Sequence, residues 1–327
     1  MNILAATFAI LLPLAALGEQ HAQPLSFKQA QLDGLTKALR RQESLERRTG
    51  LPNHERAAAA SRVQKIRQAL AGMRDFPDDA GRALVVVNVA GQWLRASRPG
   101  RPAIWMKVVV GRLETPTPAM DSRINRIVLH PDWVIPPGPA LDQALAAIRE
   151  DARYLDERNI QVLENGVELD PSRIAWADLS TATFPYRLRQ QPGPANPLGR
   201  LGFVFPNRRA ILLHDTPLKS LFAEMQRAAS LGCVRVEKPF ELAVLLLAET
   251  PGWPNERLRR EIDAGTRRTI WLASPVDIHL ARWEAWIAPN GKVRFAGESI
   301  HASPPSAGAD ERSSPEGNMT HVIHEAD

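Results

Sequence analysis

Leu84-Val85-Val86-Val87-Asn88-Val89, Trp93-Leu94-Arg95 and Trp105-Met106-Lys107-Val108-Val109-Val110 follow one another closely, parted by Gly91 and by Ser97-Arg98-Pro99-Gly100-Arg101-Pro102. Short valine-rich runs bounded by Gly and Pro predict strands, the first of them buried. The grammar before Ala83 is different. Residues 26–74 are charged and alanine-rich, with Leu32, Leu35 and Leu39, then Val63, Ile66 and Leu70, at helical spacing. Leu51-Pro52-Asn53 parts the two stretches, so they read as a helical pair that packs on the body or spaces it from a membrane.

Downstream, Pro116 and Pro118 mark a loop and Arg126–Leu129 a further strand. Pro136-Pro137-Gly138-Pro139 then opens a segment of another kind. It has helical periodicity over Leu141–Arg153 and a small hairpin around Asn165-Gly166, which makes residues 138–180 an insertion in the β-rich body. Tyr186–Leu201 is rich in Pro, Gly and Gln. Phe203-Val204-Phe205 and Ala210-Ile211-Leu212-Leu213 read as strands. A short helix is expected at Thr216-Pro217, a second over Pro239–Ala248, and a hairpin around Pro289-Asn290-Gly291. The resulting division is 19–80 helical, 81–250 β-rich, 251–300 a C-terminal extension with a hairpin, and 301–327 a disordered tail of Ser, Pro, Gly and acidic residues.

A chain of 327 residues holds one large domain with additions, or two modest ones. Its 27 prolines against 20 glycines favour loops and strand boundaries over long helices. The net charge of +5, carried mostly by arginine, suits anionic surroundings such as a wall polymer or lipid. No arginine cluster with interleaved aromatics occurs, which argues against nucleic acid. Met1–Gly18 is almost wholly apolar but shorter than the roughly 20 residues of a membrane span. Small residues at Ala16 and Gly18 precede polar Glu19-Gln20-His21, so these residues read as a signal peptide removed near Gly18. Export to an oxidising space follows as an expectation, and a single cysteine there is no disulfide scaffold.

That cysteine is Cys233, in Ser230-Leu231-Gly232-Cys233-Val234-Arg235-Val236, nineteen positions after His214. His130, His214 and His279 are the histidines in or beside the β-rich parts, and His214 ends the apolar run Ile211-Leu212-Leu213. Strand ends are where a rigid scaffold positions side chains. Gly232 permits close approach of backbone to a ligand, and the N–H groups of Gly232 and Cys233 are candidate oxyanion donors. Arg235 suits a carboxylate or phosphate. These residues fit a cysteine nucleophile with a histidine base; an inert buried thiol and a core histidine are the competing reading. One cysteine and scattered histidines give no metal-ligand spacing, and neither a phosphate-cradling loop nor a Gly-x-Ser-x-Gly elbow is present.

The run His214-Asp215-Thr216-Pro217-Leu218-Lys219-Ser220-Leu221-Phe222, then Arg227, Ser230-x-Gly232-Cys233-Val234-Arg235-Val236 and Pro239-x-x-Leu242-Ala243, resembles the catalytic motif of the L,D-transpeptidase (YkuD) family, in the flavour of its YcbB-like branch. Pro131-Asp132-Trp133-Val134-Ile135-Pro136-Pro137, Arg189–Gly199 and Phe205-Pro206-Asn207 agree, so the likeness spans about residues 60–300. It implies a β-rich mixed α/β fold: a β-sandwich-like catalytic domain with a helical capping insertion and a short N-terminal helical region. It implies Cys233 as nucleophile, His214 as general base, Gly232 and Cys233 backbone as the oxyanion hole, and Arg235, Ser230 and Asp215 as substrate-binding residues. The implied substrates are peptidoglycan stem peptides, donor and acceptor. A thioester would form after the third residue of a tetrapeptide stem and then yield a 3→3 cross-link or exchange the terminal D-amino acid. No metal or organic cofactor is implied. Carbapenems are the implied inhibitors, and the periplasm, at or near the membrane, is the implied location.

Two departures stand out. The family usually has Ser/Thr-His-Gly-Cys, whereas Leu231 occupies the place of that histidine here. A wall-binding or regulatory relative with impaired catalysis is therefore the alternative expectation, and hydrolysis a further one. A separate peptidoglycan-binding module, frequent in that branch, is not evident.

Overall fold

The computed structural model describes residues 26–151 and 153–298. The expected signal peptide and the expected disordered tail lie outside the described residues. Helices α1 (Phe27–Glu46) and α2 (Asn53–Asp75) form an N-terminal hairpin. Ser26 caps α1 by accepting the Gln29 N–H. Strands β1 (Leu84–Asn88), β2 (Trp93–Arg98), β3 (Arg101–Gly111) and β4 (Met120–Leu129) follow. Next come β5 (Trp133–Val134), α3 (Pro139–Glu150), α4 (Tyr154–Glu157), β6 (Ile160–Glu164), β7 (Val167–Leu169) and β8 (Arg187–Gln190). The chain continues through β9 (Leu201–Val204), β10 (Leu213–His214), β11 (Ala228–Ser230), β12 (Val234–Val236), α5 (Pro239–Leu246) and α6 (Asn255–Asp263). It ends with β13 (Arg268–Ala281), β14 (Ala285–Ile287) and β15 (Val293–Phe295).

The main sheet has nine strands in the order β11-β3-β12-β10-β9-β4-β13-β1-β2, and β2 pairs back onto β3. The expected sandwich is thus a barrel-like ring. The cause is β3, which pairs with β2 over Arg101–Lys107 on one edge and with β12 over Val108–Val109 on the other, closing the sheet on itself. Alternate residues of the strands fill the interior, among them Leu94, Val108, Ile124, Ile127, Phe203, Leu213, Val234, Ile278 and Leu242 of α5.

Strand β1 explains its own unbroken apolar run. Val85 and Val87 point into the ring, while Leu84 and Val86 face a second core under the N-terminal helices. That second core gathers Leu35, Ile66 and Met73 with Trp93, Trp283 and Trp286. Gln31 of α1 bonds both the N–H and the carbonyl of Ile287, acting toward β14 as a strand partner would.

Two expectations change. The segment 251–300 is no appendage to the sheet, because β13 runs between β4 and β1 in its middle. A register shift between Trp271 and Val276, with Pro275 inside the strand, hides its alternation in the sequence. The insertion, expected as a helix over Leu141–Arg153 and a hairpin around Asn165-Gly166, has α3 and the β6–β7 hairpin there and is joined to two flanking strands. Its strands β6 and β7 join the flanking β5 and β8 in a four-stranded sheet, and α3 packs on it through Leu141, Leu145 and Ile148 against Val162 and Leu188. The segment at Thr216-Pro217 gives only a 3-10 turn, Lys219–Ala223.

Candidate active site

Strands β10 and β12 are parallel neighbours, with Leu213 opposite Val234 and His214 opposite Arg235. Side chains alternate along each strand, so this register sorts them by face. Leu213, Val234 and Val236 point into the ring and are fully buried. His214, Cys233 and Arg235 share the opposite face and line one cleft of about 590 Å³. Cys233 stands one residue before β12, a diagonal neighbour of His214.

The turn that presents the cysteine is held from within. Gly232 has φ +119°, a conformation that favours glycine, and a Cβ there would also press on Ile211 at 3.2 Å. Ser230 Oγ donates to the Cys233 carbonyl at 2.6 Å and accepts the Gly232 N–H at 3.1 Å. Thr117 Oγ1 donates to the Gly232 carbonyl at 2.7 Å and accepts the Gly111 N–H at 2.8 Å. Of the two expected oxyanion donors, Gly232 N–H is therefore committed to Ser230, and the Cys233 N–H has no acceptor among the described residues. Ser230, expected to bind substrate, is buried with its hydroxyl occupied in this turn.

His214 is buried, and its Nδ1 donates to the Asp215 carbonyl at 2.5 Å, which leaves the lone pair on Nε2. Burial, reinforced by the Arg235 guanidinium, lowers its pKa to about 4 against the opposing pull of the Asp215 and Pro197 backbones. The imidazole is neutral near pH 7. Burial pushes the Cys233 thiol up, partly offset by a backbone hydrogen bond with Leu212 and by Arg235. Thiol and imidazole do not hydrogen-bond each other. Sγ is turned toward the Ala210 carbonyl, 3.9 Å away, on a loop where Ala210 has φ +53° and Asn207 ties both strands of the bend.

Asp215, also expected at the substrate, faces away from the cleft. Its carboxylate accepts the Arg200 N–H at 2.9 Å and pairs with Lys219, and Gly199 packs against it. The one-residue step from His214 turns it to the other side of the strand. His130 bonds the Ile262 carbonyl and His279 bonds Asp121, so neither takes part in the cleft.

Several lining residues carried no chemical signal in the sequence. The insertion contributes Tyr154 and Arg158, and the stretch just before it Trp133 and Ile135; Arg112 and Arg209 come from loops of the main sheet. The Arg189–Gly199 run becomes legible as architecture: Asn196 donates to the Pro131 and Gln191 carbonyls and accepts the Leu198 N–H, fixing the Pro197 wall beside His214. Thr117 is flanked by prolines, a hint of a rigid loop that names no partner. Leu231 is 37% exposed at the mouth of the cleft. Among the described residues, no group of three or more His, Cys, Asp or Glu gathers as metal ligands, and no helix is long and apolar enough to cross a membrane.

Residues 82–278 match the L,D-transpeptidase catalytic domain family, YkuD, and the chain belongs to that family. It is 34% identical over 232 residues to a Haemophilus influenzae protein provisionally named an L,D-transpeptidase. That alignment covers 71% of this chain and 46% of the relative, so the chain spans about half the length of the curated relative it matches. Among solved structures, the L,D-transpeptidase from Mycobacterium smegmatis aligns at 12% identity and a TM-score of 0.26, over 60% of this chain and 58% of that one. L,D-transpeptidase 3 from Mycobacterium tuberculosis in complex with a faropenem-derived adduct aligns at 12% and 0.27, over 60% and 59%. The family assignment rests on the sequence match, not on these superpositions.

Proposed function

We propose that the chain is a peptidoglycan L,D-transpeptidase that works through a Cys233 thioester. The observation that carries this reading is the placing of the chain's one cysteine, a neutral buried histidine and an arginine on one face of the β10–β12 pair, in a single cleft. Rotation about the Cys233 Cα–Cβ bond takes Sγ from Ala210 toward Nε2. His214 then removes the thiol proton as sulfur attacks the carbonyl after the third residue of a tetrapeptide stem. The developing oxyanion meets the Cys233 N–H. Collapse breaks the C–N bond, and the terminal D-amino acid leaves with the proton held by His214. An amine of a second stem attacks the thioester, gives its proton to His214, and releases sulfur to be reprotonated. Formation of a 3→3 cross-link and exchange of the terminal residue differ only in that amine.

The placement in the YcbB-like branch is part of this proposal, supported by an insertion that walls the cleft. So is a periplasmic location, supported by the apolar Met1–Gly18 run. A second reading, a wall-binding relative with impaired catalysis, is favoured by the thiol turned to Ala210 and by Leu231.

Incubation with a carbapenem separates the two. The expected result is a mass adduct on the chain that Cys233→Ala lacks. A folded protein that forms none refutes the catalytic reading. Leu231→His should raise the acylation rate without being required for it, measured by the same mass shift over time. Acylation confined to Leu231→His would mark the natural chain as a non-catalytic relative.

A further inference from the structure

The cleft around Cys233 is lined by four arginines, Arg112, Arg158, Arg209 and Arg235, and by one carboxylate, Glu157. They converge from four parts of the chain: the loop after β3, the insertion, the loop between β9 and β10, and β12. Three of them have contacts other than ion pairs, two at the backbone and one at a ring. Arg112 is fixed at its backbone by an N–H donated to the Ser230 carbonyl at 3.0 Å. The Arg158 guanidinium lies 5.0 Å from the centre of the Tyr154 ring. The Arg209 N–H is bound by Asn207 Oδ1 at 3.1 Å. None of these three makes an ion pair among the described residues. By contrast, Arg95 and Arg98, both well buried, pair with Asp79 and Glu249.

Like charges gathered in a concave site repel one another, and low-dielectric walls strengthen the effect. Such an arrangement is relieved by an anionic ligand, and guanidinium groups bind carboxylates bidentately. The four arginines come from separate segments of the chain, and apolar Trp133, Ile135 and Leu198 line the same cleft. Several cationic groups beside apolar walls suit a peptide that carries more than one carboxylate.

We propose, resting on the transpeptidase reading, that the cleft selects its peptide by free carboxylates, so that amidation of a stem's side-chain and α-carboxyl groups weakens recognition. Arg158 and Arg209 are the specificity-determining residues, because they reach the cleft from outside the Cys233 turn and its strand.

The test uses the full chain with Cys233→Ala, which removes turnover. Binding of an unamidated tetrapeptide stem is compared by calorimetry with that of the same peptide amidated at its internal carboxylates. The expected result is about tenfold weaker binding for each carboxylate blocked. The preference should shrink as salt is added, and it should shrink in Arg158→Gln and Arg209→Gln with unchanged melting temperatures. Equal affinities, tighter binding of the amidated peptide, or no binding of either overturns the inference. Carbapenem acylation of the unmutated chain judges the transpeptidase reading separately. An adduct with equal peptide affinities sinks the selectivity alone, whereas selective binding with no adduct sinks the catalysis alone.

Discussion

At the end of β10 the His214 imidazole is enclosed by protein, donates through Nδ1 to its neighbour's carbonyl and faces the Arg235 guanidinium across the strand pair. Burial and that positive charge bring its pKa from 6.5 to about 4, so native His214 takes up its proton only in strong acid. The unfolded chain takes it up near 6.5. Between these values the unfolded state holds more protons, and stability falls as pH falls. The expected loss from pH 7 to pH 4 is roughly 3 kcal/mol from this residue. Urea unfolding across that range should show the slope in the natural chain and a shallower one in His214→Gln. A pH-independent difference between the two would refute the assignment. The same neutrality suits a base. The residue types at 214, 233 and 235 were legible in the sequence as chemistry, because each has a narrow set of uses. Their hydrogen-bond duties were not: Ser230, which lines the cleft, also closes a turn, and Asp215 anchors the back of the strand.

The Ser230–Cys233 turn and the loop after β3 hold each other through Thr117, whose hydroxyl serves the Gly111 N–H and the Gly232 carbonyl at once. Thr117→Val keeps the shape and removes both bonds, leaving two buried backbone groups unsatisfied. The expected cost is about 2–4 kcal/mol in unfolding free energy. Carbapenem acylation should slow as well, since the Gly232 peptide plane loses its anchor. Unchanged stability would show that the turn is held by Ser230 alone. Gly111 is pinned by the same packing: a Cβ there would lie 2.2 Å from the Thr115 carbonyl oxygen. A sequence shows that Pro116 and Pro118 stiffen this loop, but a contact across more than a hundred residues has no local signature. The same limit applies to β13. Its inward residues Ile270, Leu272, Val276 and Ile278 alternate correctly, yet the Ser274-Pro275 irregularity breaks the run that would have announced a strand.

At the scale of the molecule, the closed ring makes the C-terminal segment indispensable. Strand β13 supplies partners to β1 on one side and β4 on the other. Ending the chain at residue 250 would leave both as open edges and strip Ile270, Ile278 and Leu280 from the interior. Such a truncation should lack a cooperative melting transition, read by circular dichroism. A well-folded product would show that the segment is an appendage after all. The insertion has its own small core and also lines the cleft, through Tyr154 and Arg158.

The residues by themselves determined the β-rich body, the helical pair before it, the position of an insertion, and which cysteine and histidine are the candidates for chemistry. Those follow from periodicity, turn residues and the scarcity of reactive side chains, all of which are local. Tertiary structure alone decided that the sheet closes into a ring, that β13 lies at its middle, and that the insertion joins two flanking strands in a second sheet. It also decided that arginines from four parts of the chain surround one thiol. These depend on pairing between distant segments, where packing and charge in three dimensions select one arrangement that no run of neighbouring residues encodes.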